Sequence, residues 1–228
     1  MNMLPLSFKY ESGENGAVGN ILIPLEEAAP IPDEAISVVE RVINSMNVVL
    51  PQIVPGLTIR MEILGEMFFR NGKKGVKVQL VSLKNKKAIS LKYESEGIKK
   101  IISILQLLIV VYNRSSITVA IDELDAGVFE YLLGELLRII SEKGKGQLLF
   151  TSHNLRPLET LDRGFIAFTT TNSNNRYIRM SNIKDNNNLR DFYFRDIILG
   201  EQNEEVYELT NNAEIALAFR EAGESCDT

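Results

Sequence analysis

The chain is short of most features that would assign it to a specialised setting. It has one cysteine, Cys226, in 228 residues, so no internal disulfide can form and a reducing compartment is expected. It has no excess of positive charge: 25 Lys and Arg against 30 Asp and Glu leave a formal net charge of −5 and a pI near 5.2. That balance excludes a nucleic-acid coat or a uniformly basic membrane surface, while leaving room for a local basic patch. No apolar run reaches membrane-spanning length. The longest, Ile101 to Tyr112, is too short and is broken by Gln106. Residues Met1 to Pro5 lack the basic start and apolar stretch of a signal peptide, so a cytoplasmic protein is expected. The sequence also nowhere contains G-x-x-x-x-G-K-[ST], the loop whose backbone N–H groups wrap phosphates while its Lys and hydroxyl serve the outer phosphates and Mg²⁺.

What remains is an ordinary globular composition, 45% hydrophobic and 24% charged, at a length that suits one domain or one and a half. The glycine-bearing stretch Glu11 to Asn20 mimics a phosphate loop only superficially. Gly19 is followed by Asn20, Ile21 and Leu22, with no Lys, no hydroxyl and no helix after it, so a hairpin or surface turn is expected. Residues 1–33 otherwise read as an irregular segment, because Pro24, Pro30 and Pro32 rule out a continuous helix.

Apolar residues at helical spacing from Glu34 to Leu50 predict a helix started by Pro32-Asp33. Leu57 to Leu64 and Val76 to Leu83 alternate as strands around an Asn-Gly turn, and Ala88 to Lys92 follows, giving an antiparallel meander. From Glu96 the character changes. A helix to Tyr112 leads to an apolar strand, Ile117 to Ile121, a helix from Val128 to Glu142 and a strand from Gln147 to Thr151. A short helix after Asn154 and a strand over Gly164 to Thr170 come next. Strands buried on both faces and alternating with helices predict a parallel sheet. One or two amphipathic helices close the chain. Lys73, Lys74, Lys77, Lys84, Lys86, Lys87, Lys92, Lys99 and Lys100 make the middle basic; a solvated strand face is the main expectation and a nucleic-acid contact the lesser one. Phe192, Tyr193 and Phe194 are expected in the core or at a docking contact rather than as a stacking platform.

Three short segments carry chemistry. In "SSITVAIDELDAG" a strand runs straight into Asp122-Glu123, and ligands of open α/β sheets gather at the C-terminal ends of strands. Asp122 there is a candidate Mg²⁺ holder and Glu123 a candidate base for an attacking water. In "QLLFTSHN" a second apolar strand ends at His153, the only histidine, 153 − 122 = 31 residues after Asp122. That interval accommodates one helix between adjacent parallel strands. His153 reads alone as a helix cap, but paired with Asp122-Glu123 it reads as a group able to hydrogen-bond a terminal phosphate. In "YESEGIKKI", Ser95, Glu96 and Gly97 start a long apolar helix, whose free N–H groups and serine hydroxyl make either an N-cap or an anion site.

In this order the segments resemble the ABC/SMC-type ATPases, and the "YESEGIKKI" form is most similar to bacterial AAA-family ATPases of the OLD-like group. The resemblance covers residues 90–154 and extends to the preceding meander. It implies the C-terminal lobe of a P-loop NTPase: a parallel α/β sheet with flanking helices, preceded by the strand meander. It implies ATP and Mg²⁺ as cofactors, Ser95 and Gly97 as signature residues, and Asp122 and Glu123 as the Walker B pair. Asp125 falls in the following D-loop and His153 at the switch. The implied organisation is an irregular segment over 1–33 and a lobe over 34–228, divided into a helix and meander (34–92), a signature, Walker B and switch core (93–185) and C-terminal helices (186–228).

The missing phosphate loop departs from the family. It implies a partner lobe or upstream polypeptide bearing Walker A, as in a fragment, a split-gene product or a truncated paralogue. It also implies that the isolated chain binds ATP poorly. A head-to-tail homodimer held by ATP, and a DNA-directed or phage-defence setting, follow from the resemblance alone. The rival readings are a non-catalytic interaction module derived from such an ATPase, and a metal-dependent nuclease using Asp122, Glu123 and Asp125.

Overall fold

The computed structural model describes residues 4–12, 17–85, 87–181, 188–200 and 202–226, which divide into two compact units, Met1–Asn154 and Leu155–Thr228. The first opens with a hairpin of β1 (Leu6–Ser12) and β2 (Ala17–Ile23), paired antiparallel from Leu6↔Ile23 to Ser12↔Ala17. Its inward residues are Leu6, Phe8, Ile21 and Ile23. Of the stretch Glu11 to Asn20, residues 11–12 and 17–20 lie in these two paired strands; residues 13–16, where the expected turn falls, lie outside those described. Gly19 lies opposite Tyr10, whose ring would stand 2.3 Å from any added Cβ.

A short strand, β3 (Ala29–Pro32), precedes α1 (Asp33–Ile53). The expectation of an irregular 1–33 is therefore corrected: β1, β2 and β3 all fall within it. The prolines exclude helix there, but Pro30 and Pro32 sit on an edge strand, where a missing N–H costs no ladder bond. Helix α1 buries Ala35, Val39, Ile43, Met46 and Leu50, the spacing of one helical face. It packs on β1, β3, β4 (Thr58–Phe68) and β5 (Lys74–Lys84). β4 and β5 form the long hairpin expected around Asn71-Gly72, with one irregularity between Ile63 and Gly65. β3 and β6 (Lys87–Ser90) both pair antiparallel with β5. The Asn47 side chain ties α1 to this sheet: its Nδ2 donates to the Ile59 carbonyl at 2.7 Å and its Oδ1 accepts from the Ile59 N–H at 2.8 Å. The amide thereby satisfies backbone groups of β4 that no neighbouring strand takes up.

After a 3₁₀ turn at Leu91–Tyr93 comes α2 (Glu96–Asn113), which buries nine residues and packs against α1 and α3 (Glu130–Lys143). Lys99 and Lys100 are among those nine, which corrects the expectation that every middle lysine is solvated. Lys99 is tolerated because its ammonium pairs with Glu26 and, at 2.5 Å, with Glu96. Lys73 approaches Glu34 at 3.6 Å, and Lys86 lies outside the described residues.

The parallel sheet is smaller than expected. Among the described residues, parallel pairing is confined to β7 (Thr118–Ile121) and β8 (Gln147–Phe150), in register Thr118↔Gln147 to Ile121↔Phe150. Helix α3 lies between them in sequence, as the 31-residue interval anticipates. Their burial alternates: Thr118, Ala120, Gln147 and Leu149 are exposed, and only Ile121 is fully buried. The reading of strands buried on both faces is therefore corrected; apolar composition reports what a strand could bury, not what covers it.

The second unit holds α4 (Pro157–Thr160), a 3₁₀ turn at Arg163–Phe165, β9 (Phe168–Thr169), β10 (Tyr177–Ile178), α5 (Leu189–Leu199) and α6 (Asn212–Cys226). The strand expected over Gly164 to Thr170 as a parallel member instead pairs antiparallel with β10. The turn between them closes on itself: Thr170 N–H donates to the Arg176 carbonyl and Asn175 N–H to Asn172. A local hairpin loses less chain entropy than a crossover. Phe192 is buried, Tyr193 stacks on Phe168 with ring centroids 5.2 Å apart, and Phe194 is exposed. Glu159 takes hydrogen bonds from Arg190 and Arg156, which hold its carboxyl below the usual range.

Candidate functional site

The first unit gathers its chemistry where β7 and β8 end. Carrying the parallel register one step past Ile121↔Phe150 sets Asp122 beside Thr151. The backbone confirms the step: Thr151 N–H donates to the Ile121 carbonyl at 3.2 Å, and Leu124 N–H donates to the Thr151 carbonyl at 3.0 Å. The Thr151 hydroxyl donates to Asp122 Oδ1 and accepts the Glu123 N–H at 2.8 Å. Glu123 has φ of 47°, a left-handed conformation uncommon for a residue with a side chain. Buried Leu124 and Val128 anchor the loop that follows.

Asp125 faces the other strand end. Its Oδ2 accepts the backbone N–H groups of His153 at 3.2 Å and Asn154 at 2.9 Å. Its Oδ1 is buried with no hydrogen-bond partner among the described residues. Asp125 therefore fixes the path of the 152–154 segment, and through it the root of His153. The imidazole Nε2 lies 3.8 Å from Glu123 Oε1, too far for a hydrogen bond. Both side chains reach solvent, at 85% and 58% exposure, so nothing described here excludes water from this pair.

Ser95 caps α2, its hydroxyl accepting the Ile98 N–H at 3.3 Å. Ser95 and Glu96 are exposed, while Gly97 is half-buried. The start of α2 abuts the loop after Asp122: a Cβ added to Gly97 would stand 2.3 Å from the Gly127 carbonyl oxygen. Gly127 itself has φ of 74°. The close approach needs glycine at position 97, and the turn favours it at position 127.

The structure thus brings Asp122, Glu123, Asp125 and His153 together at one end of a parallel pair, with the Ser95–Gly97 helix start packed on the same loop. Thr151 and Gly127 were not singled out from sequence. Thr151 is recognisable only through the register, and Gly127 only through its contact.

Magnesium fits part of this arrangement. Asp122 Oδ2 carries no hydrogen bond among the described residues, whereas Asp125 is turned to backbone N–H groups. No group of three or more His, Cys, Asp or Glu among the described residues could hold a metal ion. A hard dication that keeps most of its waters and takes one or two carboxylates suits such a site, and a metal cage does not. The sequence contains no Lys-bearing phosphate loop of the form G-x-x-x-x-G-K-[ST].

No protein-family model matches the sequence, and no curated protein matches it. Solved structures show partial similarity. An Smc head bound to the C-winged helix domain of ScpA superposes with a TM-score of 0.39 at 13% identity, over 53% of this chain and 36% of that one. A structure from work on ATP-driven dimerisation and DNA-stimulated activation of SMC ATPases gives 0.48 at 12%, over 71% and 93%. A Pyrococcus furiosus Smc head with an extended coiled coil, bound to the C-terminal domain of ScpA, gives 0.37 at 12%, over 53% and 30%. The chain spans about a third of the first and third of these. Among the described residues, no helix is long and apolar enough to cross a membrane.

Proposed function

We propose that this chain is the C-terminal lobe of an ABC-type ATP hydrolase, acting with a phosphate-binding lobe supplied from outside these 228 residues, by a partner or by upstream polypeptide. The observation that carries the reading is the register of β7 and β8, which brings Asp122-Glu123 and the root of His153 to one edge of the fold. In this reading Asp122 holds Mg²⁺ through water, Glu123 takes the proton of the attacking water, and His153 hydrogen-bonds the terminal phosphate. Bound Mg²⁺ supplies charge stabilisation on the phosphate oxygens. Ser95 and Gly97 present the start of α2 to a nucleotide held by a second head in a head-to-tail dimer.

Two observations support an incomplete site. The face of the parallel pair that includes Ala120 and Leu149 is exposed, with Leu149 at 60%. Glu123 and His153 are open to water, whereas hydrolysis of this kind profits from its exclusion. A docking lobe would address both.

The test is reconstitution with a Walker A lobe. Activity should appear and depend on Glu123 and His153, and Glu123→Gln should trap ATP and the dimer because binding survives while the base is lost. Ser95→Arg changes an exposed cap worth about 1 kcal/mol, so folding should survive while ATP-driven association fails. Hydrolysis by reconstituted Glu123→Gln at the unmodified rate would remove the assignment of the base.

The lack of a phosphate loop in the sequence favours a second reading, a scaffold that has kept the lobe for assembly alone. It predicts association indifferent to ATP and to Glu123→Gln. The nuclease reading is disfavoured, because Asp122, Glu123 and Asp125 do not come together as a group of three able to hold a metal ion among the described residues.

A further inference from the structure

Thr151 lies one residue past β8 and is exposed, so it does not stabilise the core. Every polar group it has is nevertheless engaged with the end of β7. Its N–H and carbonyl bond to Ile121 and Leu124, and its hydroxyl donates to Asp122 Oδ1 while accepting the Glu123 N–H. A hydroxyl is the smallest group able to do both at once. Threonine also holds it in few rotamers, because its Cβ is branched.

Glu123 is the residue this arrangement acts on most. A left-handed backbone at a non-glycine residue is uphill and persists only where its surroundings over-determine it. The bond from its N–H to Thr151 Oγ1 is one such constraint, and the Leu124 N–H bond to the Thr151 carbonyl is the next.

We infer that Thr151 is a positioning residue: its hydroxyl orients the Asp122 carboxylate, leaving Oδ2 open, and holds Glu123 in its left-handed conformation, so that the Asp122 carboxylate and the root of the Glu123 side chain keep a fixed mutual geometry. The inference rests on the reading of Asp122 as a cation ligand. Groups that orient a metal ligand from behind typically change metal affinity by about 10- to 100-fold when removed. Valine matches threonine in shape and lacks the hydroxyl; serine keeps the hydroxyl and lacks the methyl.

The experiment uses the full 228-residue chain, labelled for amide detection, with Mn²⁺ alone as the probe. Two quantities are read: hydrogen exchange at the Glu123 amide, and the Mn²⁺ concentration that broadens the Asp122 and Glu123 amide signals. Thr151→Val should speed Glu123 exchange about tenfold, the loss of one ordinary hydrogen bond. It should also raise the half-broadening Mn²⁺ concentration about tenfold. Thr151→Ser should retain both wild-type values. If Thr151→Val matches the wild type in both readouts, or Thr151→Ser fails as Thr151→Val does, the positioning role is overturned. Asp122→Asn tests the underlying reading separately. If it binds Mn²⁺ as the wild type does, Asp122 is no cation ligand, whatever Thr151 does to the Glu123 amide.

Discussion

Gly97→Ala probes the contact that joins the start of α2 to the loop carrying Asp122, Glu123 and Asp125. The new Cβ would lie 2.3 Å from the Gly127 carbonyl oxygen, where real Cβ contacts essentially never fall below 3.0 Å. One partner must therefore retreat by at least 3.0 − 2.3 = 0.7 Å, and the obstacle is backbone rather than a pliable side-chain tip. Overpacking of this kind costs about 1–3 kcal/mol. Alanine in a helix returns about 0.5–1 kcal/mol relative to glycine. The balance is a loss of about 1 kcal/mol, which with a urea slope of about 2 kcal/mol per molar lowers the unfolding midpoint by roughly 0.5 M. The measurement is the urea dependence of amide protection in α2, which reports on the first unit alone. Gly56→Ala is the control: its φ of 76° strains an alanine, but its Cβ would meet open space, so any cost there comes from the backbone and not from a contact. Gly97→Ala should also perturb the Glu123 and Asp125 amides, whereas Gly56→Ala should not. An unchanged or raised midpoint for Gly97→Ala, with those amides undisturbed, would mean that α2 and the 122–127 loop do not meet as described.

The Glu26–Lys99 pair should shape the pH dependence of stability. The hydrogen bond from Lys99 lowers the Glu26 pKa, and those to Glu26 and then Glu96 raise that of Lys99. The Glu26 contribution is present above the ordinary carboxylate range and lost as pH falls through its depressed folded value. The Lys99 contribution is present below the ordinary lysine value and lost as pH rises through its raised one. Glu26→Gln should therefore flatten the acid limb, and superimposable wild-type and variant melting profiles below about pH 5 would contradict this. Asn47→Ala should cost about 1–3 kcal/mol, because it strands the Ile59 N–H and carbonyl together; equilibrium unfolding within a few tenths of wild type would show that water replaces the amide without loss. The isolated chain should show no ATP turnover at physiological ATP, and robust turnover by purified chain that vanishes in Glu123→Gln would refute the need for a second lobe.

Local chemistry determined the elements whose causes lie close in sequence. The run of apolar residues after Pro32-Asp33 specified α1, and Ser95 followed by Glu96 marked the first turn of α2 to the residue. Asn71-Gly72 placed the β4–β5 turn, and the interval from Asp122 to His153 foretold adjacent parallel strands. Contacts between distant segments were decided only in the tertiary structure. Lys99 looked like one more solvated lysine until Glu26, 73 residues away, supplied its counter-charge. The strand at Phe168 looked parallel, but a closed turn to Tyr177 made a local hairpin the less costly pairing. Apolar β7 and β8 looked buried on both sides, yet burial depends on what packs over a strand, which its own residues do not encode. The site divides in the same way. Residue types nominated Asp122, Glu123 and His153, because few side chains hold a cation or move a proton. Asp125 and Gly97 were named through the family resemblance, whereas Thr151 and Gly127 were not singled out from sequence. A hydroxyl and a glycine have many uses along a chain, and only the register of β7 against β8 and the approach of α2 select these two.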